Sequence, residues 1–203
     1  MRGGRASGLM GAPISQGERP IAVRPDRRPA RTRKALVRAL VDLILERGWA
    51  QLSVDDVAQR ANIGRSTLYV HFGGLEGILK ECLTFPSTAL ADLVDRPPTP
   101  RQLVPQLEHF KEQRRRNRAF FVPPIRGLWV RRLAEMIEPR LPARPAGALP
   151  PALVALQLAE SQIALVANWL GLSPATPAEA IAAALIATTR ATLEGLATAS
   201  GAV

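Results

Sequence analysis

Apolar and polar positions alternate with a helical period over most of the chain. Between about Pro29 and Arg47 apolar residues recur every three or four positions, which predicts an amphipathic first helix. Its buried stripe is expected to hold Leu36, Leu40, Leu43 and Ile44. Gly48 suits the position just after that helix, since glycine adopts left-handed backbone angles without strain. The same period continues along the chain and indicates an all-α fold.

Residues Ser53 to Phe72, SVDDVAQRANIGRSTLYVHF, predict two short helices joined by a tight turn. Ser53 is a good N-cap, and Asp56 three residues later completes a carboxylate form of the capping box. Asn62 stands where the chain must turn, because asparagine tolerates left-handed backbone angles. Gly64 then opens the second helix. Such a helix-turn-helix is suited to placing its second helix in the major groove of DNA.

The second short helix has one inward face and one exposed face. Leu68 and Phe72, four residues apart, point inward. The exposed side is predicted to carry Arg65, Ser66, Thr67, Tyr69, Val70 and His71. Hydroxyls and ring nitrogens donate to phosphates, whereas an arginine at the helix N-terminus reads guanine and a valine contacts the thymine methyl. A merely solvated helix surface is the alternative, and these residue types favour double-stranded DNA as partner.

The stretch from Arg31 to Leu79 resembles the DNA-binding domain of the TetR family of transcriptional regulators. The signature is strongest at Thr67-Leu68-Tyr69-Val70-His71-Phe72, which is similar to the family's recognition helix. The resemblance covers about fifty residues strongly and the remainder only in architecture. It implies an N-terminal three-helix DNA-binding domain and a C-terminal helical domain for ligand binding and dimerisation. Ser53, Arg31 and Arg33 complete the predicted DNA-binding set.

Two positions depart from the family pattern. Asn62 stands where the family usually has glycine in the turn, and Leu75 stands where it usually has a lysine that contacts phosphate. Backbone N–H groups of Gly73 and Gly74 are the expected substitutes for that lysine.

The predicted organisation has three parts. Residues 1–28 form a basic arm that we expect to be disordered, with a minor-groove contact, a solvated tail or a start at Met10 as alternatives. Residues 29–74 form the DNA-binding domain, and 75–203 form the regulatory and dimerisation domain. Helix 75–84 connects the two. Further body helices are predicted near 86–95, 100–117 and 125–138, with a loop over 139–150.

The resemblance also implies an effector pocket in the body, for a small apolar or amphipathic molecule. Its candidate lining residues are Phe85, His109, Phe110, Phe121, Trp129 and Trp169. For each of them, ordinary core packing or surface exposure is the competing interpretation.

Two alanine-rich helices, near 151–171 and 177–198, end the chain, with Pro151 and Pro177 in their first turns. The first is apolar nearly all round, so it must be buried on two sides. A partner subunit covers the second side if the chain is a homodimer, and two such helices from each subunit then form a four-helix bundle. The TetR resemblance implies the same dimer, with two recognition helices facing a palindromic operator.

Charge supports an anionic partner. The formal net charge is +10 and the pI about 11.3. Residues 1–34 contain nine basic and two acidic residues, a net of +7, whereas 149–203 contain one basic and three acidic residues, a net of −2. The basic run at 114–118 is either a solvated helix end or a second DNA contact.

Cysteine content and hydropathy bear on the compartment. Cys82 is the single cysteine, so it packs as an apolar residue or, alternatively, senses redox state. No segment is judged long and apolar enough to span a membrane, and the N-terminus lacks the apolar region of a signal peptide. We therefore expect a cytoplasmic protein without membrane contact.

No pattern indicates an enzyme. The sequence has no metal-ligand spacing, no phosphate-binding glycine loop and no nucleophile paired with a base, so no catalytic residue, metal or cofactor is expected. The function expected is a sequence-specific regulator of transcription, most commonly in this family a repressor that an effector releases from its operator. An architectural DNA-binding protein without effector and a protein-docking module are the alternatives.

Overall fold

The structure, a computed structural model, describes residues 27–143, 149–173 and 175–199. Within these ranges it contains only helices and their connections, which confirms the predicted all-α fold. The helices are α1 Arg27–Arg47, α2 Val54–Ala61, α3 Arg65–Phe72, α4 Leu75–Ala91, α5 Pro100–Glu112, α6 Arg114–Asn117, α7 Ile125–Ile137, α8 Pro151–Leu172 and α9 Ala178–Ala199. Single 3₁₀ turns lie at Trp49–Gln51, Arg118–Phe121 and Glu138–Arg140.

The three N-terminal helices share a small apolar core. The stripe predicted on α1 is fully buried, and it meets Val57 of α2 and Leu68 of α3. Gly48 ends α1 at a φ of 77°, where a residue with a side chain would be strained. Asn62 ends α2 in the left-handed region at a φ of 54°, as its residue type predicts. These two stops place α2 and α3 across α1.

α3 joins α4 through an unusually close approach. Gly73 and Gly74 have φ values of 70° and 143°, so the chain reverses within two residues. A Cβ on Gly77 would lie 1.9 Å from the carbonyl oxygen of Phe72, which only glycine avoids. The first turn of α4 is thereby packed directly on the end of α3.

α4 is longer than the sequence predicts. Pro86 lies inside it, whereas we expected the connecting helix to end at residue 84 and a new helix to begin at Pro86. An interior proline costs about 3 kcal/mol because one helical hydrogen bond is lost. Burial of Ser87, Leu90 and Ala91 beyond it offsets that cost. Conversely, the single helix predicted over 100–117 is divided at Gln113 into α5 and α6.

α7 lies at the centre of the body, between α4 and α8. Its Trp129 is buried, and the indole Nε1–H donates to Ser87 Oγ at 3.0 Å. The Ser87 hydroxyl in turn donates to the Leu83 carbonyl oxygen at 2.7 Å. α4 is therefore fixed to the body core at the turn that follows its proline.

α8 and α9 begin and end within a residue or so of the predicted bounds. Gln162 on α8 donates to the hydroxyl of Thr189 on α9 at 3.1 Å, and both side chains are buried. The expectation that no segment is long and apolar enough to span a membrane was wrong. By length and composition alone α8 meets that criterion, with a mean hydropathy of 1.3. Half of its apolar window is buried inside the protein, as is usual for core helices.

The predicted basic arm lies almost entirely outside the described residues. Its last two residues, Arg27 and Arg28, are an exception, since they form the first turn of α1 instead of belonging to a disordered arm.

Candidate nucleic-acid interface and body cavity

α3 exposes one side to solvent, and that side carries both polar and apolar residues. Tyr69 is 46% exposed and Val70 84% exposed, whereas Leu68 between the helix and its core is 0% exposed. Ser66 and Thr67 are exposed on the same helix. The buried leucine therefore anchors α3 and aims the remaining side chains outward. The structure brings all of these sequence-predicted residues together on one surface.

Arg65 begins α3 and is paired with Asp55 of α2. Its Nε lies 3.1 Å from Asp55 Oδ1, and its NH1 donates to Oδ2 at 3.2 Å. Both side chains are well exposed. Two parallel contacts hold the guanidinium in one orientation and leave its other N–H groups directed to solvent. Asp55 lies in the first turn of α2, where its charge also suits the helix dipole.

Ser53 serves the fold in addition to its predicted place in the interface. Its hydroxyl accepts from the Asp56 amide at 3.2 Å, while the Asp56 carboxylate accepts from the Ser53 amide at 2.8 Å. Hydrogen bonds from the Ser53 hydroxyl and amide, with the nearby Arg47, hold the pKa of Asp56 below its ordinary value. The predicted capping box is thus complete, and Ser53 remains exposed.

Arg33 is partly exposed, and its guanidinium also contacts three groups of the protein. Its Nε donates to Glu81 Oε1 at 3.2 Å, and its NH1 donates to the carbonyl oxygen of His71 at 3.0 Å. The guanidinium also lies 4.4 Å over the ring of Phe72. A contact of Arg33 with DNA stays a prediction, which these intramolecular contacts neither require nor exclude. Arg31, two residues earlier, is exposed.

Two further details concern the edge of this surface. The imidazole of His71 is half-buried and lies beside Phe72, with ring centroids 6.5 Å apart. The amide of Gly73 donates to the Tyr69 carbonyl oxygen at 2.8 Å, so it is not the free donor that we expected.

No cluster of potential metal ligands occurs in the part of the chain that the structure describes.

The body contains an apolar cavity of about 160 Å³. α1 and α4 contribute one wall, and α5 to α7 contribute the other. The lining residues are Val41, Cys82, Leu83, Pro86, Phe110, Asn117, Phe120, Phe121 and Trp129. Asn117 is the one amide side chain among them. Any occupant would therefore contact both α1 and α4, which position α3.

Three of the six predicted pocket residues line this cavity: Phe110, Phe121 and Trp129. Phe85, which is 81% exposed, and His109, which is also exposed, do not line it. Trp169 is buried but lies outside the cavity, where its Nε1–H donates to the Thr176 carbonyl oxygen at 3.0 Å.

Sequence reasoning missed the aliphatic wall of the cavity. Val41, Leu83 and Pro86 carry no chemical signal that separates them from ordinary core residues. Cys82 was identified, and burial raises the pKa of its thiol to about 11. At neutral pH the thiol is protonated, which favours the packing role over redox sensing.

Comparison with known proteins agrees with this geometry. A family model described as bacterial regulatory proteins of the tetR family matches residues 36–82, which include α2 and α3. YxbF and YdeS of Bacillus subtilis (strain 168), both described as uncharacterized HTH-type transcriptional regulators, are 34% identical over 80 residues and 35% identical over 69 residues. These matches cover 39% and 34% of this chain.

The chain spans only 20% of YxbF and 32% of YdeS. A solved structure extends the likeness into the body: a TetR transcriptional regulator from Streptococcus agalactiae 2603V is 25% identical, with a TM-score of 0.51. That match covers 81% of this chain and 96% of the other. Over residues 36–82, in the domain that contains its exposed α3, the chain matches the tetR family of bacterial regulatory proteins, and its helical body resembles that of a solved TetR regulator.

Proposed function

We propose that this protein is a cytoplasmic transcriptional regulator that binds a palindromic operator as a homodimer and is released by a small apolar or amphipathic effector. The exposed face of α3 carries the proposal. Its N-terminus bears an oriented arginine, its middle bears hydroxyls, and its inner side is anchored by Leu68. A helix held in this way enters the major groove with its first turn foremost.

The interface residues divide by the chemistry that each offers. Arg65 reads a base edge, most favourably guanine O6 and N7, and Val70 contacts a thymine methyl. Ser66, Thr67, Tyr69 and His71 donate to phosphate oxygens and set the register of the helix. Ser53 and Arg31 supply further contacts at the border of the same surface.

Dimerisation through α8 and α9 follows from what these helices leave exposed. Leu153 and Leu156 of α8 are 54% and 41% exposed, although their immediate neighbours Val154 and Ala155 are buried. α9 exposes a stripe of small side chains at Ala180, Ala183, Ala187 and Ala191. Leucines on one helix and alanines on the other allow close helix packing across a two-fold axis. The dimer would place two α3 helices on half-sites one helical turn of DNA, or a multiple of it, apart.

An effector in the cavity would act through α4. Consecutive α4 residues connect to the two parts of the protein: Lys80 Nζ lies 2.6 Å from Glu135 Oε2 on α7, and Glu81 pairs with Arg33 on α1. An occupant that shifts α4 against α7 therefore also displaces α3. A coupling of about 1–3 kcal/mol would change operator affinity roughly 5–150-fold, and DNA would lower effector affinity by the same factor.

The decisive experiment is selection of bound oligonucleotides from a random duplex pool, at several salt concentrations. We expect enrichment of a palindrome, which establishes base reading and two-fold symmetry together. A Thr67→Ala/Tyr69→Ala variant should lose the enrichment while its helical content is unchanged. Uniform binding of all sequences with a steep salt dependence would instead identify an architectural protein. Equal DNA affinity of the variant and the parent would overturn the proposal and favour a protein-docking role.

A further inference from the structure

A second concavity, of about 520 Å³, lies between the α6 region and the C-terminal end of α8. Arg114, Arg115 and Arg118 form its rim. Apolar side chains form its floor, and two of them are much exposed: Val122 by 44% and Leu172 by 80%. This groove, which we call the arginine groove, combines concentrated positive charge with apolar surface.

The three arginines of the rim have no carboxylate partner among the described residues. Within the described ranges no ion pair involves the three rim arginines, whereas Arg96, Arg126, Arg132 and Arg140 of the body each have one. None of the described lining residues carries a carboxylate. A solvated helix end explains the arginines but not the exposed leucine and valine beside them. A DNA contact explains the charge but leaves the apolar floor without a partner.

The arginine groove and the body cavity have one lining side chain in common. Phe121 lines both of them. It is half-buried, and its ring lies on Trp129 with centroids 4.9 Å apart. Phe121 is therefore the side chain at which the charged groove adjoins the apolar cavity, and a rotation of its ring would connect the two.

We infer that the groove and cavity together bind an anionic amphiphile, a molecule with a single aliphatic chain and a carboxylate or phosphate head. The guanidinium fork pairs with such oxyanions through two parallel hydrogen bonds, which orients the head at the rim. The chain follows Val122 and Leu172 to Phe121 and enters the cavity. Its 160 Å³ is about the volume of five water molecules, and so accepts a short terminal segment of the chain.

This inference deepens the proposed function, since it names the chemical class of the effector, and it rests on that function only for the effect on DNA. The terminal segment would contact Val41 of α1 and Leu83 of α4. The amphiphile thus reaches the helices that position α3, whereas its head remains outside.

The test is calorimetric titration of the full-length protein with decanoate and with decyl phosphate, below their micelle-forming concentrations. Decanol and decyltrimethylammonium serve as uncharged and cationic probes of equal chain length. We expect the two anions to bind at least about tenfold more tightly than decanol, and the cation to bind more weakly still. Shortening the chain should weaken binding about fourfold for each methylene that is buried.

Substitutions in the rim test where the anionic head group of the amphiphile binds. Arg114→Gln/Arg115→Gln/Arg118→Gln should weaken anion binding about tenfold or more and leave decanol unchanged. The matched control is Arg101→Gln/Arg116→Gln/Arg131→Gln, which removes the same charge from exposed arginines outside the groove. Circular dichroism checks that each variant is folded. Equal anion affinity in both triple variants, or no anion binding to the parent up to millimolar concentration, overturns the inference.

Different results would contradict the proposed DNA-binding function and the proposed amphiphile site. Operator binding by the ligand-free protein tests the DNA-binding function without any amphiphile. Amphiphile binding that leaves operator affinity unchanged would remove the effector role but retain the site. If the triple variant in the groove instead loses operator affinity without ligand, the arginines contact DNA and the site assignment is wrong.

Discussion

Arg33 of α1 and Glu81 of α4 form an ion pair that also fixes the end of α3. The Arg33 guanidinium reaches the His71 carbonyl oxygen and the Phe72 ring while it holds the carboxylate. The two paired side chains are 39% and 37% exposed, so solvent screens part of the attraction. One arginine thereby connects two helices of the DNA-binding domain, α1 and α3, with the connecting helix α4.

We predict a coupling energy of about 1 kcal/mol for this pair from a double-mutant cycle with Arg33→Ala and Glu81→Ala in urea unfolding. The matched control is Arg38 and Asp42 of α1, an exposed pair whose Nε–Oδ2 distance is 3.9 Å. Its coupling should be no more than about 0.5 kcal/mol. Equal coupling in the two cycles would show that the contacts of Arg33 add nothing to a surface ion pair.

Arg65 and Asp55 should act together in base recognition. Arg65→Ala is expected to remove about 1–3 kcal/mol of discrimination at one base pair of each half-site. Asp55→Ala should reduce discrimination at the same base pair, because the guanidinium loses its fixed orientation. Competition binding with single-base operator variants measures both effects. A uniform loss of affinity across all operator variants would contradict the role of Arg65.

Tyr69→Phe and His71→Ala should weaken binding to every sequence alike. Their expected partners are phosphates, which carry no sequence information. Titrations with the selected palindrome and with a scrambled duplex provide the comparison. Val70→Ala is the matched control, since it should change affinity only where a thymine methyl faces position 70. A base-specific effect of Tyr69→Phe would reassign the phenol to base reading.

Gly77→Ala should destabilise the DNA-binding domain by about 1–3 kcal/mol, the usual cost of an overpacked site. The new Cβ would lie 1.9 Å from the backbone carbonyl oxygen of Phe72, so the backbone itself must move. Gly127→Ala is the control, because its nearest neighbour is the end of the Arg131 side chain at 3.8 Å. That substitution should leave stability unchanged or raise it by up to about 1 kcal/mol. Urea midpoints distinguish the two outcomes.

Acid should weaken the capping box of α2. The pKa of Asp56 is lower in the folded protein than its ordinary value, mainly through hydrogen bonds from Ser53. The contribution of Asp56 to stability is therefore complete at neutral pH and is lost as the pH falls below about 4. We expect the unfolding free energies of the parent and Asp56→Asn to differ at pH 7, and the difference to shrink steadily as the pH is lowered below about 4. A constant difference over this range would show that the carboxylate is not the stabilising group.

Local signals were sufficient for the DNA-binding domain. Ser53, Asn62 and Gly64 each have a strong positional preference, so their residue types alone predict the cap, the turn and the start of α3. Leu68 followed from helical periodicity. The partners of charged side chains were not predictable in the same way. Arg33 pairs with Glu81 and Asp55 pairs with Arg65, and only the packing of separate helices brings these residues together.

The body was predicted less well because its signals are not local. Pro86 is ordinarily a helix breaker, yet the contact between Ser87 and Trp129 keeps α4 continuous beyond it. The sequence analysis chose candidate cavity residues mainly by their aromatic rings. Phe85 is one of these, yet it is exposed, because a single ring in the sequence does not indicate which side of its helix faces the core. Aliphatic residues such as Val41 line the cavity without any mark in the sequence.

The neighbouring ion pairs of Lys80 and Glu81 imply how motion can pass along α4. Adjacent helical residues point about 100° apart, so their partners on α7 and α1 lie on different sides of the helix. A sliding of α4 along its axis would strain both pairs in the same sense. Rotation of α4 about its axis would instead lengthen one ion pair as it shortens the other. Such a rotation would carry α3 with it, because α3 is packed on the first turn of α4.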